Sequence, residues 1–188
     1  MSTTFGGQFV QTLGQLYGID NVIPLVYLNG AILTAAATTF PTLSVPAYNT
    51  LAIAINAPAF GGADNVSLRF NADAGNNYQF RTLSLASASI TPIVDNPGLT
   101  TSSIVLGPAA LAVGRTIYAF VSNTLASPKV LTATVGLAGA AVGTSPVSVI
   151  SCQGTWFNTT AQITTVTCLT AGGQTIAAGS SIQIFGGL

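Results

Sequence analysis

The chain has 188 residues, which is enough for one domain with a sizeable core. It carries four basic and four acidic side chains, no histidine and no net charge. Charged residues make up 4% of the chain, whereas an ordinary domain contains about a quarter. Without a basic cluster the chain lacks the electrostatic attraction on which nucleic-acid binding depends, so we exclude DNA and RNA as principal partners.

The first residues are predicted to form an arm that precedes the main domain. We assign residues 1–24 to this N-terminal arm and residues 25–188 to a β-sandwich domain. Gly7–Tyr17 spaces its apolar residues as a helix does, but Gly14 weakens that pattern. The arm is therefore predicted to be either extended or a short helix. No basic residue precedes an apolar segment here, so an ordinary secretory signal is not expected.

Beyond the arm, the hydrophobic pattern is that of β-strands. Leu51–Ile55 alternates with period two, and short β-rich runs recur between clusters of turn residues such as Asp95–Gly98 and Gly143–Pro146. Many short strands at regular spacing predict an all-β fold, an antiparallel sandwich or barrel. The predicted strands are Leu25–Leu33, Phe40–Val45, Leu51–Ile55, Val66–Phe70, Tyr78–Leu85, Ile104–Leu106, Thr116–Ser122, Val130–Leu137, Val147–Phe157, Ile163–Leu169 and Ser181–Phe185.

One uncharged run, Val130–Ile150, has the length of a membrane span. Its apolar residues are mostly small, they are diluted with Thr and Ser, and the run contains Pro146. We therefore predict two strands around a turn, and no membrane partner.

The scarcity of charge also bears on assembly. Edge strands of soluble proteins usually carry lysines or other charges that prevent edge-to-edge pairing, and this chain has few to spare. Neighbouring subunits are the simplest cover for such edges, so the composition predicts a homo-oligomer.

The sequence offers little support for any known combination of catalytic residues. Without histidine, neither a Ser-His-Asp nor a Cys-His nucleophile can form, and histidine metal sites are excluded. A glycosidase needs two paired carboxylates, but the four acidic residues are scattered Asp. We predict no catalytic residue, cofactor or metal, and hence no enzyme.

One short segment, "RFNADAGNNYQF", concentrates polar residues of distinctive type. Its αL-tolerant residues between two β-rich runs predict a structural hairpin in which Arg69 or Arg81 pairs with Asp73 or caps turn carbonyls. A calcium loop is the alternative, but the glycine comes one position early and no Glu closes the loop. The hairpin residues are Arg69, Asn71, Asp73, Gly75, Asn77, Tyr78 and Arg81.

Cys152 and Cys168 are the only cysteines. If the strands on either side of Asn158–Gln162 formed a hairpin, the two cysteines would face each other at a separation that suits a disulfide. Two buried free thiols are the alternative, and assembly in a cytosol favours it. No base is available to activate either thiol.

Two stretches resemble a known group. "SLRFNADAGNNYQFR", Ser67–Arg81, is similar to the "RFNGDTGNNY" segment of small virion proteins of tailed bacteriophages. Trp156–Gly187 resembles the ending of the same group, a W-x-N segment followed by "AGS-x-I-x-L-Y-G". The chain departs from the group at Ala72, often Gly, and at Phe185, often Tyr. The first third of the chain is not covered.

The resemblance implies a jelly-roll-like sandwich on a virion surface. The function it implies is a capsid decoration, or cement, protein that binds the major capsid protein and stabilises the shell, in which residues 1–24 reach across a neighbour. A trimer is expected. The alternative is a tail-fibre or receptor-binding protein that recognises host glycans through exposed aromatic residues, for which Tyr48, Tyr78, Trp156 and Phe157 are the candidates.

Overall fold

Twelve β-strands make up the described part of the molecule. The structure, a computed structural model, describes residues 25–86, 89–107, 113–137 and 148–187. Within these ranges every regular element is a strand, which confirms the all-β prediction. The strands are β1 Val26–Ile32, β2 Leu43–Ser44, β3 Thr50–Ala59, β4 Val66–Phe70, β5 Tyr78–Ala86, β6 Ser89–Thr101, β7 Ile104–Leu106, β8 Val113–Ser122, β9 Lys129–Leu137, β10 Ser148–Trp156, β11 Thr165–Thr170 and β12 Ser181–Gly187.

The strands form two antiparallel sheets. The larger has eight strands in the order β1-β12-β3-β8-β9-β10-β5-β6, and the smaller has four in the order β2-β11-β4-β7. The chain places β1, β3, β8 and β12 in one sheet and β2, β4, β7 and β11 in the other, which is the strand exchange of a jelly roll. The remaining strands extend the large sheet beyond β8. The jelly-roll-like sandwich predicted from the sequence is confirmed.

The core lies between the two sheets. Strand β8 shows how alternation builds it, because Ile117, Ala119 and Val121 are buried while Tyr118 and Phe120 point outward. Each fully buried aliphatic side chain contributes about 1.5–3 kcal/mol relative to exposure. The small sheet is buried on its inner side by residues of the same kind, among them Leu68 and Ile104.

One glycine allows the sheets to approach closely. Gly154 lies near the end of β10, and a Cβ built there would be 2.5 Å from Cγ2 of Ile104 on β7. A larger residue would push β7 away from the large sheet, so the position requires glycine.

The predicted turn at Asp95–Gly98 is wrong, because these residues lie within β6. Strand β6 is the last strand of its sheet, and an edge strand tolerates proline because one side of its backbone has no partner. Its ladder with β5 is irregular at this point: Phe80 pairs with Asn96, whereas Tyr78 pairs with Thr101. The turn-like sequence Asp95–Gly98 therefore corresponds to an irregularity of the β5–β6 ladder and not to a turn.

The two strands predicted in Val130–Ile150 are confirmed as β9 and β10, which pair antiparallel. The turn predicted between them at Gly143–Pro146 lies outside the described residues, as does the N-terminal arm with its candidate helix. In the described ranges no helix has the length and apolar character that a membrane crossing requires.

Candidate functional site

The segment from Arg69 to Arg81 is a corner between the sheets. Strand β4 belongs to the small sheet and β5 to the large one, and the two do not pair. The hairpin prediction is therefore wrong. Asn71 and Ala72 adopt positive φ values of 51° and 54°, as the αL-tolerant composition predicts, but they turn the chain across the sandwich instead of back along the same sheet.

Asp73 is the centre of this corner. Its carboxylate accepts hydrogen bonds from Trp156 Nε1 at 2.7 Å, the Gly75 backbone N–H at 2.9 Å and Asn77 Nδ2 at 3.0 Å. Because these donors already occupy the carboxylate oxygens, the geometry favours a structural role over a calcium loop. The described residues contain no group of three His, Cys, Asp or Glu placed to hold a metal.

Asn71 and Arg69 join the corner to neighbouring loops. Asn71 Oδ1 accepts from the backbone N–H groups of Thr164 and Thr165 at 2.8 and 3.0 Å, and its Nδ2 donates to the Gln162 carbonyl at 2.8 Å. Arg69 Nε donates to the Ser102 carbonyl at 3.0 Å, which lies in the loop between β6 and β7 and not in the turn whose carbonyls this arginine was predicted to cap. Arg81 lies on β5, exposed, in register with Gln153.

Three aromatic rings pack beneath the corner. Trp156 stacks on Tyr78 with ring centroids 6.2 Å apart and lies 5.9 Å from Phe70. The Tyr78 hydroxyl accepts from the Phe70 N–H at 3.1 Å and donates to the Phe70 carbonyl at 3.2 Å. Burial raises the pKa of Tyr78 to about 12, so the phenol stays neutral and bridges the end of β4 to the start of β5.

The Asp73 carboxyl makes the stability of this corner depend on pH. Burial alone would raise its pKa, but hydrogen bonds from Trp156, Asn77 and Gly75 and the charge of Arg69 outweigh that effect and lower it below 3.8. A lowered folded-state pKa gives stability that is present above the unfolded pKa and is lost as the pH falls through the folded value. We expect the urea midpoint of the wild type to fall as the pH drops below 3.8, the ordinary pKa of this carboxyl.

In Asp73→Asn the carboxyl is absent, and we expect that part of the acid dependence to disappear. The measurement is a series of urea unfolding curves from neutral pH to the acid limit of folding for both proteins. Parallel acid slopes in the two proteins would show that Asp73 does not titrate as described.

The cysteines do not face each other. Strand β10 pairs with β5 and β9, which sets Cys152 opposite Thr82 and Ala133, whereas β11 pairs with β4 and sets Cys168 opposite Leu68. The predicted hairpin around Asn158–Gln162 is wrong, because that segment crosses from one sheet to the other. Both cysteines are buried free thiols.

Both thiols are expected to be inert in the folded protein. Burial raises the pKa of Cys152 to about 11 and raises that of Cys168 further, and the thiolate is the reactive form. Ellman's reagent at mildly alkaline pH should not react with the native chain, whereas the urea-unfolded chain should release two equivalents. The control is unfolded protein treated first with reductant. A higher yield after reduction would reveal a disulfide.

Several buried polar residues were not identified from the sequence. Asn123 is fully buried, accepts from the Ile163 N–H at 2.6 Å and donates to the Tyr48 carbonyl at 2.8 Å. Lys129 donates to the Ser127 and Asn158 carbonyls at 2.6 and 3.0 Å, and burial lowers its pKa. These side chains hold three loops together at one end of the sandwich.

A second buried polar group lies in the loop between β3 and β4. Asp64 accepts backbone hydrogen bonds from Asn65, Gly172 and Gln174 at 2.6, 2.7 and 2.8 Å. Arg115 donates to the Asp64 carbonyl and lies 4.8 Å from the centre of the Phe60 ring. The sequence offered one signal for these buried charged residues, namely the scarcity of charge. In a chain with so few charged side chains, each one is expected to make a specific contact.

The surface of the described residues consequently carries fewer charges than the composition alone suggests. Among the charged side chains that the structure describes, most are withdrawn from solvent and serve the loops. Asp64, Arg115 and Lys129 are buried, Arg69 and Asp73 are half-buried, and Arg81 is exposed.

Of the aromatic residues predicted as sugar contacts, Tyr78 and Trp156 are fully buried and Tyr48 is half-buried against Gly186, while Phe157 is 41% exposed. Large exposed apolar side chains occur instead on the outer side of the eight-stranded sheet. Tyr27 on β1 and Tyr118 and Phe120 on β8 are 56%, 59% and 56% exposed. This surface is the candidate functional site.

We name it the outer face and define it by the outward side chains of β1, β12, β3, β8 and β9. In one row across the strands, Tyr27 pairs with Phe185, Phe185 with Ala52, Ala52 with Phe120 and Phe120 with Thr132. The central members of the outer face are Tyr27, Ala52, Ala54, Tyr118, Phe120, Thr132, Thr134, Gln183 and Phe185, and Ile32 and Val130 lie nearer its ends. None of these side chains is charged.

Comparison with known proteins leaves the family open. No protein-family model matches the chain, and no curated protein matches it significantly. Among solved structures, the Scytalido-glutamic peptidase is 11% identical with a TM-score of 0.27, and the alignment covers 84% of this chain and 66% of the peptidase chain.

Two further solved structures are a carbohydrate recognition domain and a phage module. The Emp47p carbohydrate recognition domain is 10% identical with a TM-score of 0.26, covering 88% of this chain and 84% of that chain. The CBM2 module of the evolved Dit of Lactobacillus casei BL23 phage J-1 is 9% identical with a TM-score of 0.17, covering 86% and 76%. At these scores the likenesses carry no argument about function.

Proposed function

We propose that the chain is a structural protein of a tailed-phage particle, a decoration protein that binds the outer surface of the head. The observation that carries the proposal is the low charge of the surface in the described ranges, together with a set of exposed aromatic side chains on one sheet face. A free protein with such a surface has little electrostatic protection against association. A protein that stays packed against other subunits of a shell does not need this electrostatic protection.

Two further considerations support the proposal. The chain resembles small virion proteins of tailed phages in the corner from Ser67 to Arg81 and in its last strands. The jelly roll occurs in viral capsid proteins, although it also occurs in lectins, so the fold supports a virion role by analogy alone. The proposal includes no catalytic residue.

In this role the protein would act by burying surface at joints between capsid subunits. The major capsid protein is the partner, the virion surface is the location, and a homo-oligomer, in our proposal a trimer, presents several binding faces at once. Linked binding of several faces raises the total affinity without any new contact. The expanded shell is thereby held against the pressure of the packaged DNA.

The test is the copy number in purified particles of the phage that encodes the chain. Quantitative mass spectrometry should give a number comparable with that of the major capsid protein, and cryo-electron microscopy should place the density on the head. Particles assembled without the protein should form but lose their DNA at lower temperature. A copy number comparable with that of tail proteins would overturn the proposal.

That result would favour the alternative, a tail protein that recognises host glycans. The exposed aromatic rings of Tyr118 and Phe120, which have Thr134 and Thr132 beside them on β9, are the observation in its favour, since sugars stack on aromatic rings and bond to hydroxyls. Trp156 cannot test this alternative, because it is buried. A glycan array should instead compare the wild type with Phe120→Ala.

A further inference from the structure

The exposed apolar side chains of the described residues are concentrated on the large sheet. Those that lie on strands all belong to β1, β8, β9 and β10, and none lies on the four-stranded sheet. They are Val26, Tyr27, Ile32, Tyr118, Phe120, Val130 and Val149. Apolar patches of this kind mark docking surfaces or promote aggregation, and the low charge gives the free chain little protection. The outer face therefore needs a cover when the chain is not packed against a partner.

The two ends of the outer face differ. The row that contains Phe120 runs from Tyr27 across Phe185 and Ala52, and the exposed Val130 lies beyond it on β9. We call this the Phe120 row. A second row, the Thr116 row, crosses the opposite end through Ile32, Ser181, Asn56, Thr116, Gly136 and Val149. In the Thr116 row polar and small residues separate Ile32 from Val149, so the continuous apolar surface lies at the Phe120 row.

The chain enters the large sheet at this same end. Strand β1 begins at Val26, which pairs with Gly186, one residue from the Phe120 row. Residues 1–24 precede this point and lie outside the described ranges. Strands of a sheet are about 4.8 Å apart, so β8, three strands from β1, is about 14 Å away. An extended chain covers about 3.3 Å per residue. A few residues before Val26 are therefore enough to bring the rest of the arm over Phe120.

The composition of the arm matches the face. Asp20 is the only charged side chain in residues 1–24. The apolar residues of the arm are Phe5, Phe9, Val10, Leu13, Leu16, Tyr17, Ile19, Val22 and Ile23. From β1 to β10, no outward side chain in the described part of the large sheet is charged. A charged cover would lose its hydration here without finding an opposite charge, whereas a neutral apolar segment would not.

We infer that residues 1–24 dock on the outer face of their own chain and cover Tyr27, Phe120 and Val130. The covalent connection selects this occupant. A segment joined to its site by a short linker is present at an effective concentration in the millimolar range, whereas any separate molecule reaches the face only at its own concentration in solution. In a free chain the arm is therefore the favoured cover.

This docking goes beyond the proposed function, because it concerns the chain before assembly. One consequence rests on the proposed function: if the outer face binds the head, the arm must leave the face first. The arm then keeps the face covered until a capsid surface displaces it, which limits association of free chains.

The experiment is limited digestion of the full chain with chymotrypsin, which cleaves after aromatic residues and leucine. Mass spectrometry follows the cuts in the arm, at Phe5, Phe9, Leu13, Leu16 and Tyr17. These cuts should be at least about tenfold faster in Phe120→Thr with Val130→Thr than in the wild type, because proteolysis follows the population of the open form. Threonine favours strands, and far-UV circular dichroism with Trp156 fluorescence checks that the variant is folded.

The matched control is Ile32→Thr with Val149→Thr. These side chains are 69% and 38% exposed and lie in the Thr116 row, so the control removes two apolar side chains from the opposite end of the same sheet. Its arm should be cut at the wild-type rate. If the Phe120 and Val130 variant does not fold, Tyr27→Thr takes its place. Tyr27 is 56% exposed on the edge strand, and its loss should also speed the cuts in the arm.

Protection of the arm in the wild type should not change with protein concentration. Arms that are cut equally fast in the wild type and in the Phe120 and Val130 variant overturn the docking, as does equal acceleration in the control. Protection that disappears on dilution overturns it in favour of an arm held by a second copy. These outcomes are separable from the proposed function. A chain abundant on heads with a freely cut arm defeats the docking alone, and a protected arm in a chain at tail copy number defeats the decoration role alone.

Discussion

Trp156→Ala is expected to lower the free energy of unfolding by about 3–5 kcal/mol. The indole is fully buried between the sheets, packs on Tyr78 and Phe70, and donates its N–H to Asp73 at 2.7 Å. Its removal leaves a cavity and takes one donor away from the carboxylate. Because domains are stable by about 5–15 kcal/mol in total, the variant should lie close to the limit of folding at room temperature.

Two companion variants separate the causes. Trp156→Phe keeps a ring in the cluster but loses the N–H, and should cost about 1–3 kcal/mol. Phe157→Ala, at the next position and 41% exposed, is the control and should change stability by less than about 0.5 kcal/mol. Urea unfolding is followed by far-UV circular dichroism, since Trp156 is the only tryptophan. A loss in Phe157→Ala equal to that in Trp156→Ala would contradict the packing argument.

The strands of this protein were predictable, but their pairing was not. Period-two patterns identify β4, β5, β10 and β11 because alternation is a local property. Whether two consecutive strands pair depends on the loop between them. In a jelly roll the chain changes sheets at β4–β5 and β10–β11, so the residues predicted to face each other, Cys152 and Cys168, lie in different sheets. Nothing local in the segment Asn158–Gln162 distinguishes a crossing from a hairpin.

The outer face shows a second limit of sequence reasoning. Thr116–Ser122 alternates cleanly, but both of its faces are apolar: Ile117, Ala119 and Val121 on one side and Tyr118 and Phe120 on the other. By hydrophobic size the aromatic side would be taken as the core. The structure buries the aliphatic side, which lies level with the buried residues Ile53 on β3 and Val135 on β9. Which side faces the other sheet depends on the neighbouring strands, and a single strand does not contain that information.

For the buried polar residues, a hydrogen-bonding role was predictable from the sequence but the partner was not. Asn123 and Asp64 occur in turn-like contexts, where Asn and Asp usually bond to their own local backbone. Here each reaches a loop that is distant in sequence, Ile163 for Asn123 and Gly172 for Asp64. The residue type predicts a hydrogen-bonded turn, whereas the partner is set by the way the sandwich brings its loops together.

The second large loss of stability is expected on substitution of Asp64. Asp64→Ala is expected to lower the free energy of unfolding by about 1–3 kcal/mol, because the buried carboxylate accepts three backbone N–H groups and alanine cannot replace it as their acceptor. Asp64→Asn retains one oxygen but turns an NH₂ group toward a backbone donor, so its loss should be smaller. Urea unfolding followed by Trp156 fluorescence measures both.

Amide hydrogen exchange then distinguishes a specific contact from general destabilisation. Gly172 and Gln174 are exposed residues in the loop between β11 and β12, so in the native protein the bonds to Asp64 are what protect their amides. In Asp64→Asn these two amides should exchange faster by a larger factor than the amides of the β8–β9 ladder, since the loop opens without the sheet. Equal acceleration at both places would mean that Asp64 supports the fold as a whole and does not fasten this loop to the β3–β4 connection.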